Sequence, residues 1–95
     1  MFSHVMIGTN DIEESRGFYD KLFEALGSGP GKMYPNLTGQ KRYFYYFNGS
    51  SFVITQPIDG NAATVANGST IGFNLESTDQ GEAWHQAGID NGGTS

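Results

Sequence analysis

The sequence lacks cysteine, an excess of basic residues and any long apolar run. Without cysteine there is no disulfide framework, no thiolate nucleophile and no cysteine-ligated zinc or iron–sulfur site. Ten acidic side chains outnumber five basic ones, and the net charge of −5 argues against nucleic acids and anionic membranes as partners. No apolar run approaches the ~18 residues that span a bilayer, and the N-terminus has no signal-peptide pattern. We therefore expect a cytoplasmic protein.

Glycine and aromatic residues are what the sequence has in excess. Glycine accounts for 14 of the 95 residues, about twice its usual share of roughly 7%. Residues 43–47 are all aromatic. This composition favours short strands, tight turns and a surface lined by rings, and it is not typical of a disordered chain. A chain of 95 residues corresponds to a single domain with one modest core.

Hydrophobic periodicity predicts a strand, a helix and three further strands in the first part of the chain. Apolar residues spaced by three and four predict the helix, with Asp11 as its N-cap and Glu14 completing a capping box. Asn48-Gly49 is the dipeptide favoured in a type I′ hairpin turn. The predicted elements are a strand over Phe2–Ile7, a helix over Ile12–Leu26, and strands over Lys32–Asn36, Arg42–Phe47 and Ser51–Gln56.

The pattern of a strand followed by a capped helix recurs later in the chain. A shift of 66 residues aligns four pairs of residues: His4 with Thr70, Asp11 with Ser77, Glu14 with Gln80, and Phe18 with Trp84. This internal repeat predicts a second strand–helix unit. Its strand is expected over Thr70–Leu75. Its helix is expected to begin after Ser77, to end at Gly88, and to have an apolar stripe of Ala83, Trp84 and Ala87, with Ile89 as a further candidate.

Three features of the first half point to one known family: His4 in the first strand, the run Asn10-Asp11-Ile12-Glu13, and Phe18-Tyr19 on the helix. They resemble the opening of the vicinal oxygen chelate superfamily, which includes glyoxalases, bleomycin resistance proteins and extradiol dioxygenases. The segments TIGFNL and DQGEAWHQAGI look like the second module of that family. The resemblance implies an α+β fold of paired βαβββ modules, whose curved mixed sheet, with helices outside, forms an open cup around a small-molecule site.

The expected organisation is one domain that holds a complete first module and part of a second. The first βαβββ module occupies residues 1–58, a linker occupies 59–69, and an incomplete βα module occupies 70–95. The family's remaining strands would follow the last residue, which indicates either a natural truncation or a fragment. An incomplete sheet leaves an exposed edge, so we expect a homodimer, with exchanged strands or modules as one arrangement.

The resemblance also implies four metal-ligand positions, of which this sequence fills one. His4 matches the first position, whereas the second falls on Val53, the third falls on Thr70, and the fourth is absent. Valine cannot ligate, neutral threonine is a poor ligand, and a catalytic site needs about three protein ligands. A different register would add Gln56 and still leave two ligands. We therefore expect no cofactor; a divalent metal is compatible with this chain only if further ligands are supplied.

The aromatic strand is the strongest indication of a ligand site. Tyr43 and Tyr45 share one face of the strand and Phe44 and Tyr46 share the other, so one face packs under the helix and the other lines the concave side. Aromatic walls with few polar groups are typical of small-molecule pockets, although core or interface packing explains the same residues. The residues predicted to bind a ligand are His4, Met6, Tyr43, Tyr45, Gln56, Thr70 and Asn74.

Three functions follow as hypotheses. The first is a small-molecule-binding protein of the glyoxalase/bleomycin-resistance type that lacks a complete metal site and binds a hydrophobic or aromatic ligand. The alternative is a metal-dependent glyoxalase- or dioxygenase-like enzyme whose C-terminal strands and remaining ligands are missing from this chain, so the sequence leaves enzymatic activity open. The third is a folded truncation without function. None of them involves a nucleic acid or a membrane.

Overall fold

The computed structural model describes residues 2–64 and 67–94, which form a four-stranded sheet and two helices. In chain order these are β1 (His4–Gly8), α1 (Ile12–Ala25), β2 (Lys32–Met33), β3 (Arg42–Phe47), β4 (Ser50–Thr55) and α2 (Thr78–Asp90). The strand order in the sheet is β1-β4-β3-β2. Strand β1 runs parallel to β4, and the other neighbouring pairs are antiparallel. The predicted α+β fold and its βαβββ order are confirmed.

Helix α1 forms where the capping pattern predicts it. The side chain of Asp11 accepts a hydrogen bond from the backbone N–H of Glu14 at 3.1 Å, which satisfies one of the free donors of the first turn. The helix ends at Ala25, and Gly27 follows in the left-handed conformation with a φ of 77°. Glycine is favoured at this position because it has no Cβ to clash.

The β3–β4 hairpin also agrees with the sequence. Asn48 and Gly49 have φ angles of 51° and 78°, the positive values that a type I′ turn requires. Strand β2 is shorter than predicted and ends at Met33. The backbone N–H of Tyr34 still donates to the carbonyl of Arg42 at 3.0 Å, but Pro35 has no N–H with which to continue the pairing.

The core lies between α1 and the face of the sheet that α1 covers. Phe23 of α1 is fully buried, and its ring stacks on that of Tyr45 with centroids 4.7 Å apart. The ring of Trp84 in α2 meets that of Phe23 edge-on with centroids 5.7 Å apart, and the ring centroid of Phe73 lies 4.9 Å from that of Trp84. Packed rings bury large apolar areas, so this cluster holds α2 and the chain before it against the first module.

The second strand–helix unit differs from its prediction in three respects. Residues 70–75 form no strand in the described part of the chain, because a strand needs a neighbour to satisfy its backbone groups. They pack against the core through Phe73 and Leu75 instead. Helix α2 begins after Ser77 as predicted, but it continues past Gly88 to Asp90. The glycine that follows the helix in the left-handed conformation is Gly92, with a φ of 101°, and not Gly88.

The predicted inward face of α2 is also only partly correct. Trp84 and Ala87 are half-buried, as predicted, but Ala83 is exposed. The described residues include no helix long and apolar enough to cross a membrane.

Candidate functional site

The two faces of the sheet differ in what covers them. In β1, Val5 and Ile7 pack toward the core, and the alternation of a strand therefore places His4 and Met6 on the opposite face. Strand register extends that face, since Ser51 pairs with both His4 and Tyr46, and Val53 pairs with both Met6 and Phe44. We call this surface the open face; it consists of His4, Met6, Arg42, Phe44, Tyr46, Ser51 and Val53.

Aromatic rings dominate the β3 side of the open face. The rings of Phe44 and Tyr46 are nearly parallel, with centroids 6.4 Å apart, and the ring of Tyr34 meets Phe44 edge-on at 5.5 Å. Val53 is fully buried and forms the floor between Phe44 and Met6. The result is a broad apolar surface on which a planar ring could stack.

Two side chains bring polar chemistry to this surface. The guanidinium of Arg42 lies 5.2 Å from the centroid of the Phe44 ring, and it donates to the backbone carbonyls of Tyr34 at 3.0 Å and Pro35 at 3.3 Å. The exposed ring of His4 has its Nδ1 2.8 Å from the hydroxyl of Ser3. The surface therefore offers a fixed cation on one side and an imidazole on the other.

The structure places the two predicted tyrosines on the face covered by α1. The hydroxyl of Tyr43 donates to Glu13 at 2.7 Å, and the hydroxyl of Tyr45 lies 2.7 Å from Asp20 and 3.1 Å from the carbonyl of Arg16. The hydrogen bond to Glu13 raises the pKa of Tyr43, and burial followed by the bond to Asp20 raises that of Tyr45. Both phenols thus hold their protons and tie the sheet to α1.

The other predicted site residues are spread over the molecule. Met6 lies on the open face. The side-chain oxygen of Gln56 accepts from the backbone N–H of Lys41 at 2.8 Å, so it extends the β3–β4 pairing beyond the strand ends. Thr70 and Asn74 are exposed, and the carbonyl of Asn74 is 3.5 Å from the side-chain nitrogen of Asn48.

A cavity of about 330 Å³ lies at the end of the sheet where β1 starts, and its lining includes residues from both faces. Phe52 and Phe73 contribute apolar walls, and of the predicted site residues His4, Tyr45 and Asn74 line it. We call it the end cavity, because it lies beside the start of β1. The predicted site residues therefore lie on different surfaces, and the prediction did not include Phe44, Tyr46 and Arg42. The alternation of β1 and β3, combined with the β1–β4 pairing, is the signal that would have placed these three beside Met6.

One solved structure is similar to this chain in both sequence and fold. It is described as the crystal structure of a glyoxalase/bleomycin resistance protein from Albidiferax ferrireducens T118, and it is 52% identical to this chain. The match covers 97% of this chain and 70% of that one, with a TM-score of 0.84. The chain belongs to the glyoxalase/bleomycin resistance family. No family sequence model and no curated protein matches it. The resemblance that His4, Asn10-Asp11-Ile12-Glu13 and Phe18-Tyr19 indicated is confirmed.

The metal that the vicinal oxygen chelate resemblance implies does not fit the residues of this chain. The described residues include no group of three or more histidine, aspartate or glutamate side chains that could hold a metal ion. Of the implied positions, His4 offers an imidazole, Val53 is a fully buried hydrocarbon, and Thr70 carries only a neutral hydroxyl. A catalytic metal site generally has about three protein ligands, and this set supplies one good one.

Proposed function

We propose that this protein binds a small hydrophobic or aromatic ligand on the open face of its sheet. The observation that carries the proposal is the exposure of large apolar side chains on one face of the sheet. Met6 is 41% exposed, Tyr46 is 49% exposed, and Tyr34, which packs against Phe44, is 50% exposed. Exposed apolar side chains gathered on one face are typical of ligand and partner sites.

The polar groups of the open face favour a ligand with an electron-rich or acidic substituent. The protein carries a net charge of −5, yet the charged side chains that β2 and β3 place on this face are the cations Lys32 and Arg42. Arg42 already lies over an aromatic ring, a position in which it can also meet the edge of a stacked ligand. A phenol or an aromatic carboxylate would combine ring stacking with a hydrogen bond to Arg42 or His4.

The proposed ligand site is completed by a second copy of the chain in the cytoplasm. Strand β1 is one of the two edge strands of the sheet, and among the described residues its outer edge has no strand partner. An unpaired edge beside an exposed apolar face favours association, and a two-fold dimer would set two open faces side by side. Exchange of strands or modules between the copies is one arrangement that would do this.

Calorimetric titration of the 95-residue chain with a panel of phenols, aromatic carboxylates and bleomycin tests the proposal. Bleomycin belongs in the panel because the similar crystal structure is described as a glyoxalase/bleomycin resistance protein. We expect saturable binding that Tyr46→Ala weakens by roughly three- to tenfold, the loss of one aromatic contact of about 0.5–1.5 kcal/mol. Leu37→Ala is the matched control, since it truncates a fully exposed apolar side chain in a loop. Equal effects of the two variants, or no binding at all, would contradict the proposal, and no binding would favour the folded truncation.

The alternative is a metal-dependent enzyme of the glyoxalase or dioxygenase type. The observation in its favour is the position of His4, whose exposed imidazole lies on the open face at the family's first ligand position. It requires further ligands from outside this chain. We expect equilibrium dialysis against Zn²⁺, Ni²⁺ or Mn²⁺ to show no stoichiometric metal. Stoichiometric binding that His4→Ala abolishes would favour the enzyme instead.

A further inference from the structure

The segment that follows β4 lies across one end of the open face. Gly8, the last residue of β1, is on the same side as Met6 because side chains alternate along a strand. A methyl group on Gly8 would lie 3.3 Å from the Cβ of Ala63 and 3.5 Å from the ring of Pro57. Gly8 itself stays exposed, so Ala63 and Pro57 lie beside the Gly8 end of the face, and the absence of a side chain on Gly8 lets them approach.

Asn10 holds Ala63 in this position through both ends of its amide group. The backbone N–H of Ala63 donates to Oδ1 of Asn10 at 2.7 Å, and Nδ2 of Asn10 donates to the carbonyl of Ala63 at 3.2 Å. A primary amide presents a donor and an acceptor together, as a peptide group does, whereas a carboxylate only accepts. The pair therefore fixes the orientation of Ala63 as well as its distance.

The earlier part of the same segment has its own supports. The backbone N–H of Gly60 donates to the carbonyl of Pro57 at 3.2 Å, and that of Asn61 donates to the side chain of Asp59 at 2.9 Å. The side chain of Gln40 reaches the carbonyl of Ile58 at 3.4 Å. Local turns and Gln40 thus shape residues 57–61, while Asn10 fixes the segment at Ala63.

The register of the sheet shows what this segment limits. Three cross-strand rows lie on this side of the sheet: Tyr46-Ser51-His4, Phe44-Val53-Met6, and Arg42-Thr55-Gly8, of which the last adds Thr55 and Gly8 at the end of the open face. Ala63 and Pro57 lie beside the β1 end of the third row. The first two rows are about 7 Å apart along the strands, at roughly 3.3 Å per residue, which is enough for one ring but short for two rings in line.

We propose that residues 57–63 form an end wall of the ligand surface and that Asn10 is the positioning residue that fixes this wall, so that the pair selects short ligands over long ones. The inference rests on the proposed function, because it assumes that ligands bind on the open face. It assigns to Asn10 a role that extends beyond the first turn of α1, whose cap is Asp11.

Hydrogen exchange and ligand selectivity test the two halves of the inference. The variants are Asn10→Ala, which removes both hydrogen bonds, and Asn10→Asp, which keeps only the acceptor. Asn36→Asp is the control, because it introduces the same charge in a loop and keeps the oxygen that accepts from Leu37. We expect at least tenfold faster exchange of the Ala63 amide in Asn10→Ala, and affinity for 4-phenylphenol relative to phenol that rises at least threefold. The control should change neither quantity.

The variant Ala63→Gly tests the wall independently of the Asn10 side chain that holds it. Ala63→Gly removes the methyl group next to Gly8 but leaves the backbone groups that Asn10 binds, so it should raise the same selectivity ratio without speeding exchange tenfold. Unchanged exchange in Asn10→Ala overturns the role of Asn10, and an unchanged ratio in both Asn10→Ala and Ala63→Gly overturns the wall. If the unmodified protein binds neither phenol, the proposed function and the selectivity claim fail, while the exchange result still decides whether Asn10 fixes Ala63.

Discussion

Replacing either of two neighbouring tyrosines by phenylalanine should have very different effects on stability. Tyr45 is 1% exposed, and its hydroxyl donates to the Asp20 carboxylate at 2.7 Å. A buried hydrogen bond to a charged group contributes about 1.5–3 kcal/mol. Asp20 keeps its bond from the backbone N–H of Gly31 at 2.9 Å, so the carboxylate is not left without a donor. We therefore expect Tyr45→Phe to lower the free energy of unfolding by about 1.5–3 kcal/mol.

Tyr46→Phe is the matched control, because it removes the same atom one residue along the same strand. Tyr46 is 49% exposed on the open face, and a surface substitution of this kind changes stability by about 0.5 kcal/mol or less. Urea denaturation followed by circular dichroism, at one fixed protein concentration, measures both variants. A loss of 1.5 kcal/mol corresponds to a Tm drop of roughly 6 °C or more in a domain of this size. Equal losses in the two variants would refute the assignment of the two faces.

Three further predictions follow from the same structure. Burial raises the pKa of Tyr45, so at high pH the folded state keeps a proton that the unfolded chain loses. The free energy of unfolding should therefore be at its full value below about pH 10 and fall above it. Urea midpoints compared from pH 8 to 11 should fall less steeply in Tyr45→Phe than in the unmodified protein. Asp11→Ala and Ser77→Ala should each cost about 1 kcal/mol in the same assay, since each side chain caps a helix; no loss in either would contradict the capping. Gly8→Ala should lower the Tm, because Asn10 holds Ala63 where the new methyl group would meet it at 3.3 Å, and adding Ala63→Gly should restore it; a neutral Gly8→Ala would show that Asn10 does not hold the segment against a small shift.

Local chemistry is what could be predicted from the sequence. The two N-caps, the turn at Asn48-Gly49 and the span of β3 depend on residues close together in the chain, and the structure agrees with all of them. The family resemblance followed from the same local motifs. Gly88 shows the limit of this approach, because a glycine can either end a helix or lie within one, and only the following glycines decide between the two.

The side of the sheet on which each tyrosine lies could not be predicted from β3 alone. Alternation separates Tyr45 from Tyr46, but it does not say which of them lies under α1. That choice depends on contacts between distant residues, in which Phe23 stacks on Tyr45 and Asp20 accepts a hydrogen bond from the Tyr45 hydroxyl. The predicted strand at Thr70–Leu75 failed for a related reason, since a strand exists only where a neighbour pairs with it.

The open face as the ligand surface is the central claim, and an NMR titration of the isotope-labelled chain with phenol and 4-phenylphenol tests it most directly. The account predicts saturable shift changes centred on Met6, Phe44 and Tyr46, with little change for residues under α1. Shift changes centred instead on Phe52 and Phe73 would place the ligand in the end cavity and contradict the claim, as would the absence of any saturable change.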